Sequence, residues 1–401
     1  MMIKRNTVTI ALIIIVVSVI ILGCSGADMN LPSQSAGKNI VVSEKTFKSD
    51  DLGWESLSRM EESPGWSSSA VLLSNGDILV CGGIKYPDAL SSALIFEVDK
   101  NKWRKTASMH YPRGYHTGTL LPSGKILVTG GMNHYSTNVY PLDGGIAECE
   151  IFDPEKEIWE ETAPMSEPRV GHQATLLKDG RVLVTGGSTA EIYDCKSMQW
   201  KKAGDLKYRA FHTSTLLNDG RVLIAGGLHQ EKEVLRHISN RVDILSDVFS
   251  FDPIAEKWEK VASMNEKRCG HSAILLNDGR VLVSGGRINE ISATSMVEIF
   301  DNIQKKWTRI ESMKNSRSNH KSMLLPDGTV LVTGGDPIYP DRPLVSTEML
   351  SFTAFNWVKG PDMKVRRTQF NLVQLEDGNA VAIGGWNGNY VTEVERIKLM
   401  K

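Results

Sequence analysis

Six arginines recur along the chain at similar intervals, and five of them are followed three residues later by a histidine. Guanidinium groups gathered in one place could recognise carboxylates or other anions through bidentate hydrogen bonds. We favour a structural interpretation, in which an arginine repeated in nearly every unit braces loop carbonyls, because a binding site normally breaks the symmetry of a repeat. One histidine per unit cannot converge on a single tetrahedral site, so no metal centre is predicted. The pairs are Arg113/His116, Arg169/His172, Arg209/His212, Arg268/His271 and Arg317/His320, and Arg367 is followed by Phe370.

Two of the nine tryptophans, Trp66 and Trp386, lie outside the regular spacing that the other tryptophans follow. Together with Tyr390, they could form an aromatic shelf suited to stacking a sugar ring or gripping a peptide. The alternative is a hydrophobic plug that seals a junction of the fold. Both interpretations stay open at the level of sequence.

The N-terminus has the order of a signal sequence. Lys4 and Arg5 precede an apolar run over residues 8–22, which is shorter than the roughly 20 residues of a membrane-spanning helix. The following Gly23-Cys24 resembles the lipobox of bacterial lipoproteins, which implies lipidation of Cys24. Residues 1–23 are therefore predicted to be a lipoprotein-type signal peptide or an uncleaved signal anchor, and residues 24–50 a flexible tether. Either outcome predicts an extracytoplasmic, membrane-anchored protein.

Charge and motif content exclude several classes of function. The chain has 46 basic and 47 acidic side chains, whereas nucleic-acid binders usually carry a basic domain or stripe. Its five cysteines show no spacing typical of a zinc site or of a dense disulfide framework. No nucleophile elbow, zinc-protease motif or phosphate-binding glycine loop is present in the sequence. These observations predict no nucleic-acid partner and no cofactor.

The elements that position these residues follow from seven paired glycines, which divide the chain into units of about 50 residues. Another glycine lies six residues before each pair, often after Asp, and Asp-Gly between apolar runs predicts a β-hairpin. A third apolar segment follows, usually with an aromatic residue, and in six units a tryptophan lies seven residues after that position. Each unit is therefore predicted to be one four-stranded sheet. The glycine pairs begin at 82, 130, 186, 226, 285, 334 and 384, and the tryptophans are Trp103, Trp159, Trp200, Trp258, Trp307 and Trp357.

This arrangement of paired glycines, aromatic and tryptophan resembles kelch repeats from about residue 52 to 401. The resemblance implies an all-β fold, a seven-bladed β-propeller with its blades around a central channel. A seventh tryptophan element begins at Trp54, before the first hairpin, whereas the last unit lacks one. We therefore predict that residues 54–57 supply the outer strand of the last blade and close the ring, and that residues 51–401 form the propeller.

One face of this propeller is the predicted site. With strands A to D counted outward from the channel, the variable loops between strands B and C share a face with the segments leading into strand A. Trp66 and Trp386 fall on this loop face in neighbouring blades, and the loops 132–145 and 228–240 are predicted to form the opposite wall.

We expect a monomer that binds a glycan or protein ligand on the loop face. Enzymes with related propellers offer alternatives. A resemblance to galactose-oxidase-like proteins would imply a copper site built from Tyr, His and a modified Tyr-Cys pair. That set of residues is not evident in this sequence. A bacterial sialic-acid mutarotase is also a kelch propeller. The alternative function is therefore a sugar-modifying epimerase that uses an acid such as Glu231 or Glu233.

Overall fold

A computed structural model describes residues 52–135, 144–230, 242–338, 342–351 and 356–399. All of them belong to one compact unit, Glu44–Lys401. The predicted signal segment, the tether and Cys24 lie outside the described residues, as do Glu231 and Glu233. Within the described ranges, no helix has the length and hydrophobicity needed to cross a bilayer.

The described chain forms seven four-stranded antiparallel sheets, as the repeat spacing predicts. Two small two-stranded ribbons, Ile84–Lys85 with Asp88–Ala89 and Leu228–Gln230 with Val242–Ile244, extend from loops between strands B and C. The blades, strands A to D, are Ser69–Leu72, Ile78–Cys81, Ala93–Glu97, Lys102–Lys105 (blade 1); Thr117–Leu120, Ile126–Thr129, Cys149–Asp153, Ile158–Thr162 (blade 2); Gln173–Leu176, Val182–Thr185, Gly187–Asp194, Gln199–Arg209 (blade 3); Thr213–Leu216, Val222–Ala225, Val248–Asp252, Lys257–Val261 (blade 4); Ser272–Leu275, Val281–Ser284, Val297–Asp301, Lys306–Ile310 (blade 5); Lys321–Leu324, Val330–Thr333, Thr347–Ser351, Asn356–Lys359 (blade 6); and Asn371–Gln374, Ala380–Ile383, Val394–Leu399, Leu52–Leu57 (blade 7).

The ring closes through its first strand. Leu52–Leu57 pairs antiparallel with Val394–Leu399, and Trp54 lies opposite Ile397. Strand A of blade 7 also lies beside strand A of blade 1, as each inner strand lies beside the next around the channel. The predicted seven-bladed propeller, closed by an N-terminal strand, is therefore confirmed.

The hydrophobic core lies between neighbouring blades. Strand B is buried throughout in every blade, which explains why these runs are apolar without alternation. One cluster joins Leu79 and Ile95 of blade 1 to Phe152 and Trp159 of blade 2. The indole nitrogen of Trp159 donates a hydrogen bond at 2.8 Å to the carbonyl of Ala107, in the segment that follows blade 1. The regularly spaced tryptophans thus join one blade to the next.

The paired glycines occupy places where backbone meets backbone. Gly82 and Gly83 both have positive φ, at 63° and 110°. A Cβ on Gly83 would overlap the carbonyl oxygen of Pro64. The N–H of Gly83 donates at 2.8 Å to the carbonyl of Arg113, in the segment leading into the next blade. The glycine pair is therefore a joint between blades on the loop face.

Candidate functional site

The six repeated arginines are buried inside the blades. Each side chain is at most 1% exposed. Arg268 is representative: one guanidinium nitrogen donates to the carbonyls of Gly285 and Met296 at 2.7 and 3.0 Å, and the other donates to the Glu298 carboxylate at 2.7 Å. Burial lowers the pKa of Arg268, and the charge of Glu298 opposes this shift. The six are Arg113, Arg169, Arg209, Arg268, Arg317 and Arg367.

The acidic partners of these arginines vary together with the arginines themselves. Five blades place a glutamate on strand C, where it pairs with the arginine of the same blade. Blade 1 has Gly65 in place of the arginine and Leu94 in place of the glutamate. In blade 4, Arg209 lies over the ring of Phe249 and pairs with Asp247 instead. The glutamates are Glu150, Glu191, Glu298, Glu348 and Glu395.

This geometry corrects one hypothesis for the arginines. A ring of six cations at the channel mouth is not the arrangement found, because the guanidinium groups are buried and already paired with carbonyls and carboxylates. The bracing role is the one that the contacts support. The arginines therefore hold the loop face in place and do not line it.

The repeated histidines are also buried between blades. His172 accepts or donates a hydrogen bond with Thr129 at 2.8 Å, and His212 does so with Thr185 at 2.9 Å. Burial, with the nearby arginine charges, lowers the pKa of His172 and of His271 to about 3. Among the described residues, no group of three or more His, Cys, Asp or Glu side chains is placed to hold a metal ion.

A closed ring of backbone hydrogen bonds surrounds the mouth of the channel on the loop face. In each blade the residue two positions before strand A has positive φ and donates its N–H to the carbonyl of its counterpart in the preceding blade, at 2.7 to 3.3 Å. Seven such bonds connect the blades in a circle. The ring residues are Ser67, Tyr115, Gly171, Phe211, Gly270, Asn319 and Gln369.

Most residues of this ring, and most of the residues that begin strand A, line a cavity of about 430 Å³. Its walls differ in character. Tyr115 and Phe211 form an edge-to-face pair at 5.4 Å, whereas Asn319, Lys321 and Gln369 give the opposite side polar groups. The cavity is within the usual range of small-molecule sites, at its lower end.

The aromatic residues predicted from sequence come together beside this cavity. The rings of Trp66 and Trp386 are 5.2 Å apart in an edge-to-face arrangement, and Tyr390 lies 5.6 Å and 5.3 Å from them. Tyr135, which lines the cavity, lies 5.8 Å from Trp66, and Tyr86 lies 6.2 Å from Tyr135. We call Trp66, Tyr86, Tyr135, Trp386 and Tyr390 the aromatic cluster.

The cluster has features of both interpretations left open by the sequence. Trp66 packs on the buried side chains of Ile84 and Met132, as a plug would. Trp386 and Tyr390 are only partly buried, and Tyr86 is 51% exposed, so the outer rings face solvent. Both tryptophans are partly buried, but their contacts differ: Trp66 packs on Ile84 and Met132, whereas Trp386 contacts Trp66 and Tyr390.

The described part of the loop 132–145, residues 132–135 and 144–145, lies on a different side from the one predicted. Its described residue Tyr135 contacts Trp66, because blade 2 adjoins blade 1 in the ring. The described part of this loop therefore continues the aromatic side and does not form an opposite wall. In the other loop, His229 bonds the carbonyl of Tyr208 at 2.8 Å, and most of the remainder lies outside the described residues.

Comparison with known proteins agrees with this architecture. Residues 151–335 match the family model described as the KLHDC2/KLHL20/DRC7 Kelch-repeats domain, and residues 65–110 match the Kelch motif. The chain is a kelch-repeat β-propeller. Beta-scruin of Limulus polyphemus is 26% identical to this propeller over 264 residues, 61% of this chain and 28% of scruin. An F-box/kelch-repeat protein of Arabidopsis thaliana is 30% identical over 152 residues, 37% of each chain. The chain thus spans between about a quarter and two-fifths of the length of these relatives.

A solved structure shares the fold. A fungal alcohol oxidase of the AA5 family, in complex with copper, superposes with a TM-score of 0.68 at 15% identity, covering 86% of this chain and 76% of the oxidase. At this level of identity the likeness concerns the propeller architecture alone.

Several residues of the site were missed by sequence reasoning. The strand C glutamates stand two residues before the position that holds an aromatic in most units, so aligning the repeats would have revealed them. Tyr86 carries no such signal, because it lies in no motif. Lys321 directly follows the repeated His320, so aligning the repeats would have shown a charge at this position, although not that the position lines a cavity.

Proposed function

We propose that this kelch-repeat propeller is a membrane-tethered, extracytoplasmic binding module that recognises a glycan or protein ligand at the mouth of its channel on the loop face. The observation that carries the proposal is the aromatic cluster, which is partly exposed and borders a cavity with polar groups on its other side. Aromatic faces beside polar groups suit sugar rings and peptide chains, because they bury apolar surface while hydrogen bonds fix orientation.

Symmetry supports the same location. The buried arginines and histidines recur in most blades and hold the blades together. The cluster occurs once, where blades 7, 1 and 2 adjoin. Five aromatic rings, each in contact with at least one other, are unlike the single exposed apolar side chains that any protein surface carries.

The tether rests on the sequence of the N-terminus. Its basic flank, apolar run and Gly23-Cys24 favour export and lipid attachment, followed by a polar segment long enough to hold the propeller away from the bilayer.

The test of the binding site is Trp386→Ala in the full-length protein. We expect this variant to lose binding to the ligand that a screen of glycans and cell-wall fragments identifies, while its melting temperature changes little because Trp386 is partly exposed. The screen should include a turnover assay for each bound sugar, since epimerisation would identify an enzyme. Trp66→Ala should also lose binding, but with a loss of stability, because Trp66 packs on Ile84 and Met132.

Trp357→Ala is the matched control. Trp357 lies on the outer strand of blade 6, where its indole donates to the carbonyl of Glu311 at 2.8 Å. This variant should lose stability and keep binding. The proposal fails if Trp386→Ala binds like the wild type, or if it unfolds as readily as a core variant, which would establish the plug.

Metabolic labelling tests the tether. The protein should incorporate a labelled fatty acid, and Cys24→Ser should abolish the label because the thiol is the site of attachment. Membrane fractionation of the variant distinguishes the two outcomes left open by the sequence. A variant that is unlabelled and released supports the lipoprotein, whereas labelling that persists in Cys24→Ser contradicts it.

A further inference from the structure

One residue at the channel carries a charge where the equivalent residues of the other blades carry none. The seven strands A lie side by side around the channel. Six of the seven residues that begin these strands are uncharged. The seventh is Lys321, in blade 6, and it lines the cavity at the channel mouth. The seven residues are Ser69, Thr117, Gln173, Thr213, Ser272, Lys321 and Asn371.

Lys321 has no partner within the part of the chain that the structure describes. Its amine makes no hydrogen bond and no ion pair with a described residue, and its side chain is partly buried. Burial lowers its pKa, with no carboxylate to oppose the shift. Some lysines on the surface do have acidic partners, for example Lys125 with Asp153 at 3.0 Å.

The surroundings of Lys321 carry no negative charge. Among the described residues that line the cavity, Lys321 and Arg287 are cations and none is an aspartate or glutamate. Two histidines line it as well, His116 and His172, and burial lowers the pKa of both, so they are neutral at pH 7. Asp336 is not among the residues that line the cavity; it is fully buried and accepts a hydrogen bond from the Ser318 hydroxyl at 2.8 Å.

The fold does not need a lysine at this position, because the other six blades begin strand A with an uncharged residue. Burying an unpaired charge costs free energy, and blades 1 and 5 begin strand A with serine. A fixed cation without a partner is a ready site for an anion, which would form a charge-assisted hydrogen bond with it.

We propose that the cavity at the channel mouth binds a sugar that carries a carboxylate, with the carboxylate on the Lys321 amine. This inference rests on the proposed function and names its ligand class. A cavity of about 430 Å³ bordered by aromatic rings fits one or two sugar rings. The amides of Asn319, Gln369 and Asn371 line the same cavity and supply donors and acceptors for hydroxyl groups.

Titration calorimetry with glucuronate and glucose tests the charge requirement, because the two sugars differ only in the carboxylate at C6. The full-length protein should bind glucuronate about 10- to 100-fold more tightly than glucose, as expected for one charge-assisted hydrogen bond. Lys321→Ser copies the residue of blades 1 and 5, so the fold should tolerate it. It should remove this preference, and Lys321→Arg should retain part of it.

Lys100→Ser is the control for net charge, because Lys100 is 69% exposed and pairs only with the surface residue Glu97. It should leave the preference for glucuronate unchanged. The inference is overturned by equal binding of the two sugars, by an unchanged preference in Lys321→Ser, or by binding only of a peptide whose free C-terminal carboxylate cannot be replaced by an amide. In each of these cases a loss of binding in Trp386→Ala would still uphold the proposed site, whereas retention there would contradict both.

Discussion

Two sets of residues lie side by side in the segments that lead into strand A, and they differ in almost every physical property. The arginines recur in six blades, are buried, and are paired with carbonyls and carboxylates. Most of the residues two and four positions later line the cavity at the channel mouth, and they differ from blade to blade; they include Lys321, which has no described partner. The contrast teaches that in a repeat protein the regular positions hold the frame, whereas the irregular positions are the place to look for binding.

Removing a regular residue should have the largest effect. We expect Arg268→Met to lower the free energy of unfolding by about 3–5 kcal/mol, because it leaves the fully buried carboxylate of Glu298 without its cation. Urea denaturation at pH 7 measures this loss. The contrast with the channel mouth would be broken if the variant lost ligand binding while its stability changed by less than about 1 kcal/mol.

A double variant sharpens the same comparison. Arg268→Met with Glu298→Leu removes both charges and imitates blade 1, which has neither an arginine nor a glutamate at these positions but Gly65 and Leu94. It should recover much of the stability lost in the single variant, because no buried charge remains unpaired. A double variant as unstable as the sum of its two single variants would show that the carbonyl contacts of Arg268, and not its ion pair, dominate.

The regular positions explain why the fold was predictable. Paired glycines, hairpin glycines and tryptophans each serve one local requirement, such as positive φ at Gly83 or the bond from Trp159 to Ala107. Because each requirement recurs in every blade, spacing alone gave the blade number and the closing strand. The contact between Trp66 and Trp386 followed from the same reasoning, since closure makes blades 1 and 7 neighbours.

The channel mouth was less predictable for the opposite reason. Lys321 is one lysine among many, and its sequence neighbours do not reveal that it lies in a cavity without an acid. Tyr135 was assigned to the wrong wall because loop length says on which face a loop lies but not toward which neighbour it leans. The role of the arginines was ambiguous until their burial was known, because an arginine that braces a loop and one that binds a ligand look the same in a sequence.

Acid provides a smaller and more selective way to separate the two sets. The folded protein keeps His271 neutral, with a pKa of about 3, whereas a histidine in the unfolded chain titrates near pH 6.5. Below pH 6.5 the unfolded state therefore binds more protons, and the free energy of unfolding falls as the pH drops. His271 alone should contribute a loss of about 2 kcal/mol between pH 7 and pH 5. The other four buried histidines act in the same direction.

His271→Phe isolates this contribution, because blade 7 already uses Phe370 at the equivalent position. The variant loses a hydrogen bond to Thr213, so its stability at pH 7 should be somewhat lower than that of the wild type. Between pH 7 and pH 5, however, its stability should fall by about 2 kcal/mol less, because one proton-binding group is gone from the unfolded chain. Urea denaturation at both pH values gives the difference, in which the carboxylates common to both proteins cancel. Equal acid sensitivity in the two proteins would mean that His271 is protonated in the folded state, and the assignment of a neutral, purely structural histidine layer would be wrong.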